Sequence, residues 1–202
     1  MKLYDAMTPN TLRVKAFLAE KGIDIPRVRL KVLEGETRTP EFLAINPLGE
    51  LPVLETDNGE ILAETVAICR YLEALRPEPS LFGRTPLEQG QIEMWNRRIE
   101  LHFFGAIGDY GRHTIPFFAD KFDQMPAYAE VLKRKAAKQW AFLDSQLADG
   151  RQFIAGDAIS VADLTAMAAF FASDVTGIEL SADQTHAKRW EQSLRARPSF
   201  AE

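Results

Sequence analysis

The chain has 202 residues, 46% of them hydrophobic, and a net charge of −5 from 24 Lys+Arg against 29 Asp+Glu. That balance excludes the basic footprint of a nucleic-acid binder, and the lone Cys69 excludes an internal disulfide or a multi-cysteine metal site. No apolar run approaches the roughly 20 residues of a membrane helix and no basic-then-apolar leader opens the chain, so a cytoplasmic protein without membrane or nucleic-acid partners is expected.

Lys2-Leu3-Tyr4 is a short apolar strand candidate. Thr8-Pro9-Asn10 then announces a helix, because Thr suits the N-cap and Pro is tolerated at the first helical position. Val14, Phe17 and Leu18 share its buried face, and Gly22 ends it after Lys21. Arg27 to Leu30 alternates polar and apolar residues and reads as a second strand. Pro40-Glu41-Phe42-Leu43 predicts a short helical turn. Leu51 to Glu55 and Ile61-Leu62 flank Asp57-Asn58-Gly59, a hairpin signal. Ile68, Tyr71, Leu72 and Leu75 follow the period of a buried helix face.

Asn46-Pro47-Leu48-Gly49-Glu50-Leu51-Pro52-Val53-Leu54 holds the most chemistry. It reads as a tight turn entering a strand that contains a proline. A proline there marks an edge, a bulge or a cis bond, and leaves backbone groups free for a peptide. Glu64-Thr65 opens the next helix, whose N-terminus favours a carboxylate. The two together predict a site for a small, charged, peptide-like ligand.

Arg76-Pro77-Glu78-Pro79-Ser80 breaks the pattern as a linker. Beyond it the signals are helical: Ile92, Trp95 and Ile99 share one face, Leu132, Ala136, Trp140, Leu143 and Leu147 another, and Leu164, Met167, Ala168 and Phe171 a third. Ser160-Val161-Ala162-Asp163 is a capping box with Asp in place of the usual Glu, and Ile159 with Leu164 can staple it. The expected organisation is a mixed α/β unit over residues 1–77, a linker over 78–86 and an all-α unit over 87–202.

Over essentially its whole length the chain resembles a cytosolic glutathione S-transferase. The matching pieces are Leu3-Tyr4 with Thr8-Pro9-Asn10, Pro40 through Gly49, Leu51-Pro52, and Glu64 through Ile68 with Tyr71-Leu72. Gly156-Asp157, Ser160 through Leu164, and Arg197-Pro198-Ser199-Phe200 complete them. The Thr-Pro-Asn triplet is most similar to bacterial Nu-type and yeast prion-type members; serine-type classes carry Ser where Thr8 stands. The resemblance implies a thioredoxin-like N-terminal domain, a helical C-terminal domain, a homodimer, and glutathione as co-substrate with no metal.

It also implies roles. Thr8 would donate its hydroxyl or backbone N–H to the glutathione sulfur, with Asn10 as second donor or replacement. Leu51 would pair its backbone with the cysteinyl residue beside a cis Pro52. Glu64 would take the γ-glutamyl ammonium, Thr65 the neighbouring carboxylate, and Arg38 the glycyl carboxylate. Phe103, Phe104, Ile107, Tyr110, Arg112 and His113 are candidates for the electrophile pocket. Tyr4 is a core residue and Cys69 a buried small hydrophobe. His102, His113 and His186 lack metal-ligand spacing. Glu50 departs from the pattern: an anion near the glycyl end repels the ligand carboxylate unless Arg38 compensates.

The leading function implied is conjugation of glutathione, as its thiolate, to a small hydrophobic electrophile. A free thiol has a pKa of about 8.5, so only a few per cent is ionised near neutrality. Lowering it by about two units requires roughly 2.7 kcal/mol of preferential thiolate stabilisation. The alternatives are glutathione-dependent disulfide or peroxide reduction and a non-catalytic glutathione-binding or ligand-carrier protein.

Overall fold

In a computed structural model the structure describes residues 1–201. The first strand, β1 (Lys2–Asp5), lies at the middle of a four-stranded sheet of order β2-β1-β3-β4. It pairs parallel with β2 (Arg27–Arg29) and antiparallel with β3 (Val53–Glu55). The parallel pairing requires a crossover, which α1 (Pro9–Lys21) supplies. The Asp57-Asn58-Gly59 turn brings β4 (Ile61–Leu62) back onto β3 as an antiparallel hairpin. All three β2 residues are exposed, so its alternation reflects a charged edge strand and not a buried face.

α1 begins and ends as its sequence dictates. Thr8 caps it by accepting from the Thr11 N–H at 3.2 Å, and Gly22 closes it in the left-handed region at φ 58°. The short α2 (Pro40–Ile45) is capped the same way by Thr39, and α3 (Thr65–Leu75) returns across the sheet. Among the described residues, regular elements after Leu75 are helical: α4 (Pro86–Arg98), a π-helical segment (Ile99–Phe104), α5 (Gly105–Thr114), α6 (Pro126–Gln146), α7 (Val161–Thr176), α8 (Thr185–Arg195) and α9 (Pro198–Ala201). Helical backbone angles persist through Arg98, Ile99 and Phe104, so α4, the π segment and α5 form one continuous rod. None of these helices is long and apolar enough to cross a membrane.

One apolar core runs through both halves. Val14, Phe17, Ile68 and Leu72 from the sheet-bearing part join Phe103, Trp140, Phe170 and Trp190 from the helical part. α7 is its centre and is apolar on nearly every side, a wider burial than the single face its sequence period suggested. It packs against α1, α4, α5 and the π segment. The ring of Phe170 stacks on Trp140 at 5.4 Å and meets Trp190 edge-on. Asp163 fixes where α7 starts. Its buried carboxylate accepts from Ser160 N–H and Oγ, from the Ile154 N–H and from Trp190 Nε1, all at 2.9–3.0 Å. Burial pushes this carboxyl above its ordinary range, against the pull of the four donors.

The connection between the halves is pinned by a buried cation. Lys21, in the last turn of α1, ion-pairs with Glu73 and donates to the carbonyls of Arg76, Pro77 and Pro79 at 2.9, 3.1 and 2.5 Å. Glu73 Oε1 in turn accepts from the Leu81 N–H at 3.0 Å. The Pro-rich segment is therefore a fixed strap. Removing one partner of a buried pair leaves an uncompensated charge. Lys21→Met should cost about 3 kcal/mol and lower the melting temperature by roughly 10 °C, measurable by denaturant and thermal unfolding.

Candidate active-site cleft

β4 is two residues long and covers only Leu54 and Glu55 of β3. The start of β3 is therefore unpaired on that side. Leu51, just before it, makes no backbone hydrogen bond among the described residues, although it is buried on Tyr4, Ala6, Phe42 and Val53. The Leu51–Pro52 peptide is cis. Of the three readings the sequence left open for Pro52, an edge, a bulge or a cis bond, the structure has the cis bond; β3 itself is interior, and it is the shortness of β4 that exposes its first residues. A cleft opens here, lined by Asn10, Asn46, Glu50, Leu51, Pro52, Ala63, Glu64, Thr65 and Glu100.

The turn before Leu51 is tightly determined. Asn46 Nδ2 donates to the Glu50 carbonyl at 2.8 Å and its Oδ1 accepts from the Leu48 N–H at 3.3 Å. Gly49 sits at φ 64°, and a Cβ there would lie 2.7 Å from the Thr37 carbonyl oxygen, so only glycine fits. Arg38 leans on this glycine and donates from Nη1 to the Leu48 carbonyl at 2.8 Å. It does not line the cleft. Glu50 does, exposed and with no ion-pair partner among the described residues.

On the opposite wall Glu64 stands at φ 64°, the one non-glycine residue with positive φ among those described. Such strain persists only where the surroundings impose it and is concentrated at functional sites. It points the chain into α3, whose first N–H groups have no intrahelical partner. Thr65 Oγ1 accepts from Arg13 Nη1 at 2.8 Å, which leaves the Thr65 hydroxyl proton free to donate. The same Arg13 nitrogen reaches Glu100 Oε1 at 2.7 Å in the π segment. Arg97 also pairs with Glu100. Burial lowers the Arg13 guanidinium to about 10. One buried cation thus ties the α3 wall of the cleft to the helical half.

Arg13 and Glu100 were not singled out from the sequence, and Asn46 only as the first residue of the turn that precedes Leu51. A signal for Arg13 existed: Arg13, Phe17 and Lys21 recur every four residues on the buried stripe of α1, and a cation on such a stripe needs a partner. Glu100 carries no comparable signal, because a π turn shifts the helical register by which its side would be counted.

Thr8 and Asn10 occupy the start of α1 with opposite freedom. The Thr8 oxygen accepts the α1 cap, its hydroxyl donates to Thr11 Oγ1 at 3.0 Å, and its N–H donates to the Ala6 carbonyl at 2.9 Å. Asn10 is exposed, lines the cleft and has no side-chain hydrogen-bond partner among the described residues.

The candidates on the first rod of the helical half separate. Phe103 and Ile107 are fully buried: Phe103 packs edge-on against Trp140 at 4.4 Å, so these two serve the core and do not line a pocket. The face that packs on α7 claims them. Phe104 and Tyr110 are half-buried, and Arg13 lies over the Phe104 ring at 5.4 Å. Arg112 pairs with Asp109 at 2.7 Å and covers Phe122. His113 Nδ1 accepts from the Met125 N–H at 3.1 Å, and its ring meets Tyr128 edge-on. Tyr4 is buried, with its hydroxyl donating to Glu55 at 2.9 Å.

With this geometry in view, the comparisons with known proteins are consistent. The chain belongs to the glutathione S-transferase family. Residues 1–74 match the family's N-terminal domain and residues 109–198 its C-terminal domain. Glutathione S-transferase 2 of Saccharomyces cerevisiae is 34% identical over 98% of this chain and 87% of its own length. The crystal structure of a glutathione S-transferase domain-containing protein of Marinobacter aquaeolei VT8 superposes with a TM-score of 0.93 at 37% identity, covering 99% of this chain and all of that one. The crystal structure of Gtt2 from Saccharomyces cerevisiae gives 0.92 at 33% identity, covering 100% and 99%. Ure2p in complex with glutathione shares the fold, with a TM-score of 0.85 at 20% identity over 99% and 96% of the two chains.

Cys69 lies fully buried in α3, where desolvation pushes its thiol up to about 12. It is inert at neutral pH. In the unfolded chain the thiol ionises near 9, so between 9 and about 12 the unfolded state holds fewer protons and stability falls as pH rises. A disulfide reagent should find no reactive thiol in the native protein and one per chain after denaturation, and Cys69→Ala should remove this part of the alkaline slope in stability.

Proposed function

We propose that the chain is a glutathione transferase that binds glutathione in this cleft and presents its thiolate to a small hydrophobic electrophile. The observation that carries the reading is the unpaired Leu51 backbone at the mouth of a cleft whose far wall is a helix N-terminus entered through a strained Glu64. A tripeptide satisfies both ends at once. Its cysteinyl backbone pairs antiparallel with Leu51, as an added strand would. Its γ-glutamyl ammonium meets the Glu64 carboxylate, and the adjacent carboxylate takes the Thr65 hydroxyl and N–H at the positive end of α3.

The sulfur then lies toward the start of α1. Thr8 donates its hydroxyl to Thr11 Oγ1 and its N–H to the Ala6 carbonyl, so Asn10 is the donor left for a thiolate, with Thr8 holding the helix end in place. A hydrogen bond to a charged group contributes about 1.5–3 kcal/mol, enough for roughly one to two units of thiol pKa. The rest of the rate gain is positioning of two reactants in one cleft. Phe104 and Tyr110, with Arg112 and His113 beyond them, form the wall from which an electrophile approaches. The reaction needs no metal and no covalent enzyme intermediate. A homodimer belongs to the same reading: Leu87 and Met94, two turns apart on α4, and Leu101 in the π segment expose apolar side chains at 70%, 39% and 55%.

Asn10→Ala should raise the pKa of bound glutathione by about one unit and lower turnover roughly tenfold, while its affinity changes by less than about threefold. Glu64→Ala should instead weaken binding by about tenfold or more. Thiolate absorbance of the bound tripeptide against pH, with calorimetry for affinity, reads both. A larger thiol shift in Thr8→Ala than in Asn10→Ala would make Thr8 the sulfur donor. Turnover of a halogenated aromatic against a small disulfide separates conjugation from reduction.

A further inference from the structure

We propose that Glu50 selects a modified co-substrate: a glutathione whose glycyl carboxylate is masked as an amide, above all one that carries a cationic aminoalkyl chain. The inference rests on the glutathione reading of the cleft and deepens it. With the cysteinyl residue on Leu51 and the γ-glutamyl end at Glu64 and Thr65, the glycyl end must run toward the opposite wall, which is Asn46 and Glu50. A tripeptide with a free glycyl carboxylate brings an anion to that wall.

The wall offers it no counter-charge. None of the lining residues is Lys or Arg, whereas Glu50, Glu64 and Glu100 all line the cleft. Their circumstances differ. Glu100 is neutralised by Arg13 and Arg97. Glu64 faces the ligand's ammonium. Glu50 alone faces the glycyl end without a partner. Arg38 is the cation nearest to it in sequence, but it is folded back, with its guanidinium on Gly49 and Nη1 on the Leu48 carbonyl. Moving it into the cleft would break that hydrogen bond. The backbone that aims Glu50 is itself fixed, by Asn46 holding the Glu50 carbonyl at 2.8 Å and by a glycine that no other residue replaces.

Two like unit charges about 4 Å apart at the dielectric of water change affinity roughly fivefold, and opposite charges by as much in the other direction. Amidation removes the penalty, and an ammonium beyond the amide converts it to attraction. No bond is made or broken at this end of the ligand, so the thiol chemistry is unchanged. The natural co-substrate is accordingly the product of an amide-forming reaction that joins the glycyl carboxylate of glutathione to an amine.

The test is calorimetric titration of the purified protein with three probes: glutathione, its glycyl amide and its glycyl N-(3-aminopropyl) amide. In the wild type the aminopropyl amide should bind about tenfold tighter than glutathione, the plain amide in between, with the gap narrowing at about 0.5 M salt. In Glu50→Gln the gap should shrink to about twofold, mainly because glutathione binds tighter. Glu50→Ala gives the same comparison should the Gln variant fold poorly. Equal or tighter wild-type binding of free glutathione, or a gap untouched by either substitution, overturns the role of Glu50 while leaving the glutathione site standing. Failure of all three probes to bind overturns both.

Discussion

A backbone left unpaired governs this molecule. Every buried peptide group needs a partner, and a four-stranded sheet normally supplies one along each interior strand. Here the last strand stops after two residues, so the first residues of β3 look across at nothing. The chain does not fill the gap. It turns away at Ala63, bends through a positive-φ glutamate and starts a helix. A strand's free edge and a helix's free N–H groups then face the same cleft. Each alone is commonplace; side by side they suit a ligand that is peptide in its middle and zwitterionic at one end.

The helical half is part of that device. Arg13, buried inside α1, reaches the first hydroxyl of α3 and a carboxylate of the π segment with one nitrogen. Lys21, two turns on along the same stripe, seizes the strap between the halves. Arg13 thus joins the α3 wall of the cleft to the helical half, and Lys21 joins the strap to α1 and α3. The apolar cluster is continuous from Val14 to Trp190, so there is no plane along which the two halves part.

Much of this was legible in the sequence, for reasons that can be named. Helix starts are local: Thr8-Pro9 and Ser160 through Asp163 announce them because a cap is settled within four residues. The hairpin turn, the buried Cys69 and the crossover follow from equally local rules. Glu64 with Thr65 and Leu51 with Pro52 could be picked out because a helix start and a proline in a strand are local too. What escaped depends on distant contacts. Whether Phe103 and Ile107 face a pocket or the core is decided by α7, some sixty residues on, so their helical period could not choose. Glu100 reaches the cleft through a π turn that breaks the period altogether. The freedom of Asn10 relative to Thr8 rests on where a single hydroxyl proton points, which no spacing encodes.

The account comes down to whether a tripeptide lies against the start of β3. Backbone amide resonances of the isotopically labelled protein, followed during titration with glutathione, read this most directly. The Leu51 amide should move downfield as it gains a hydrogen bond, together with those of Thr65 and Asn10, while the buried amides of α7 stay still. Saturable binding that leaves Leu51 and Thr65 unmoved, or shifts confined to another face of the molecule, would contradict it.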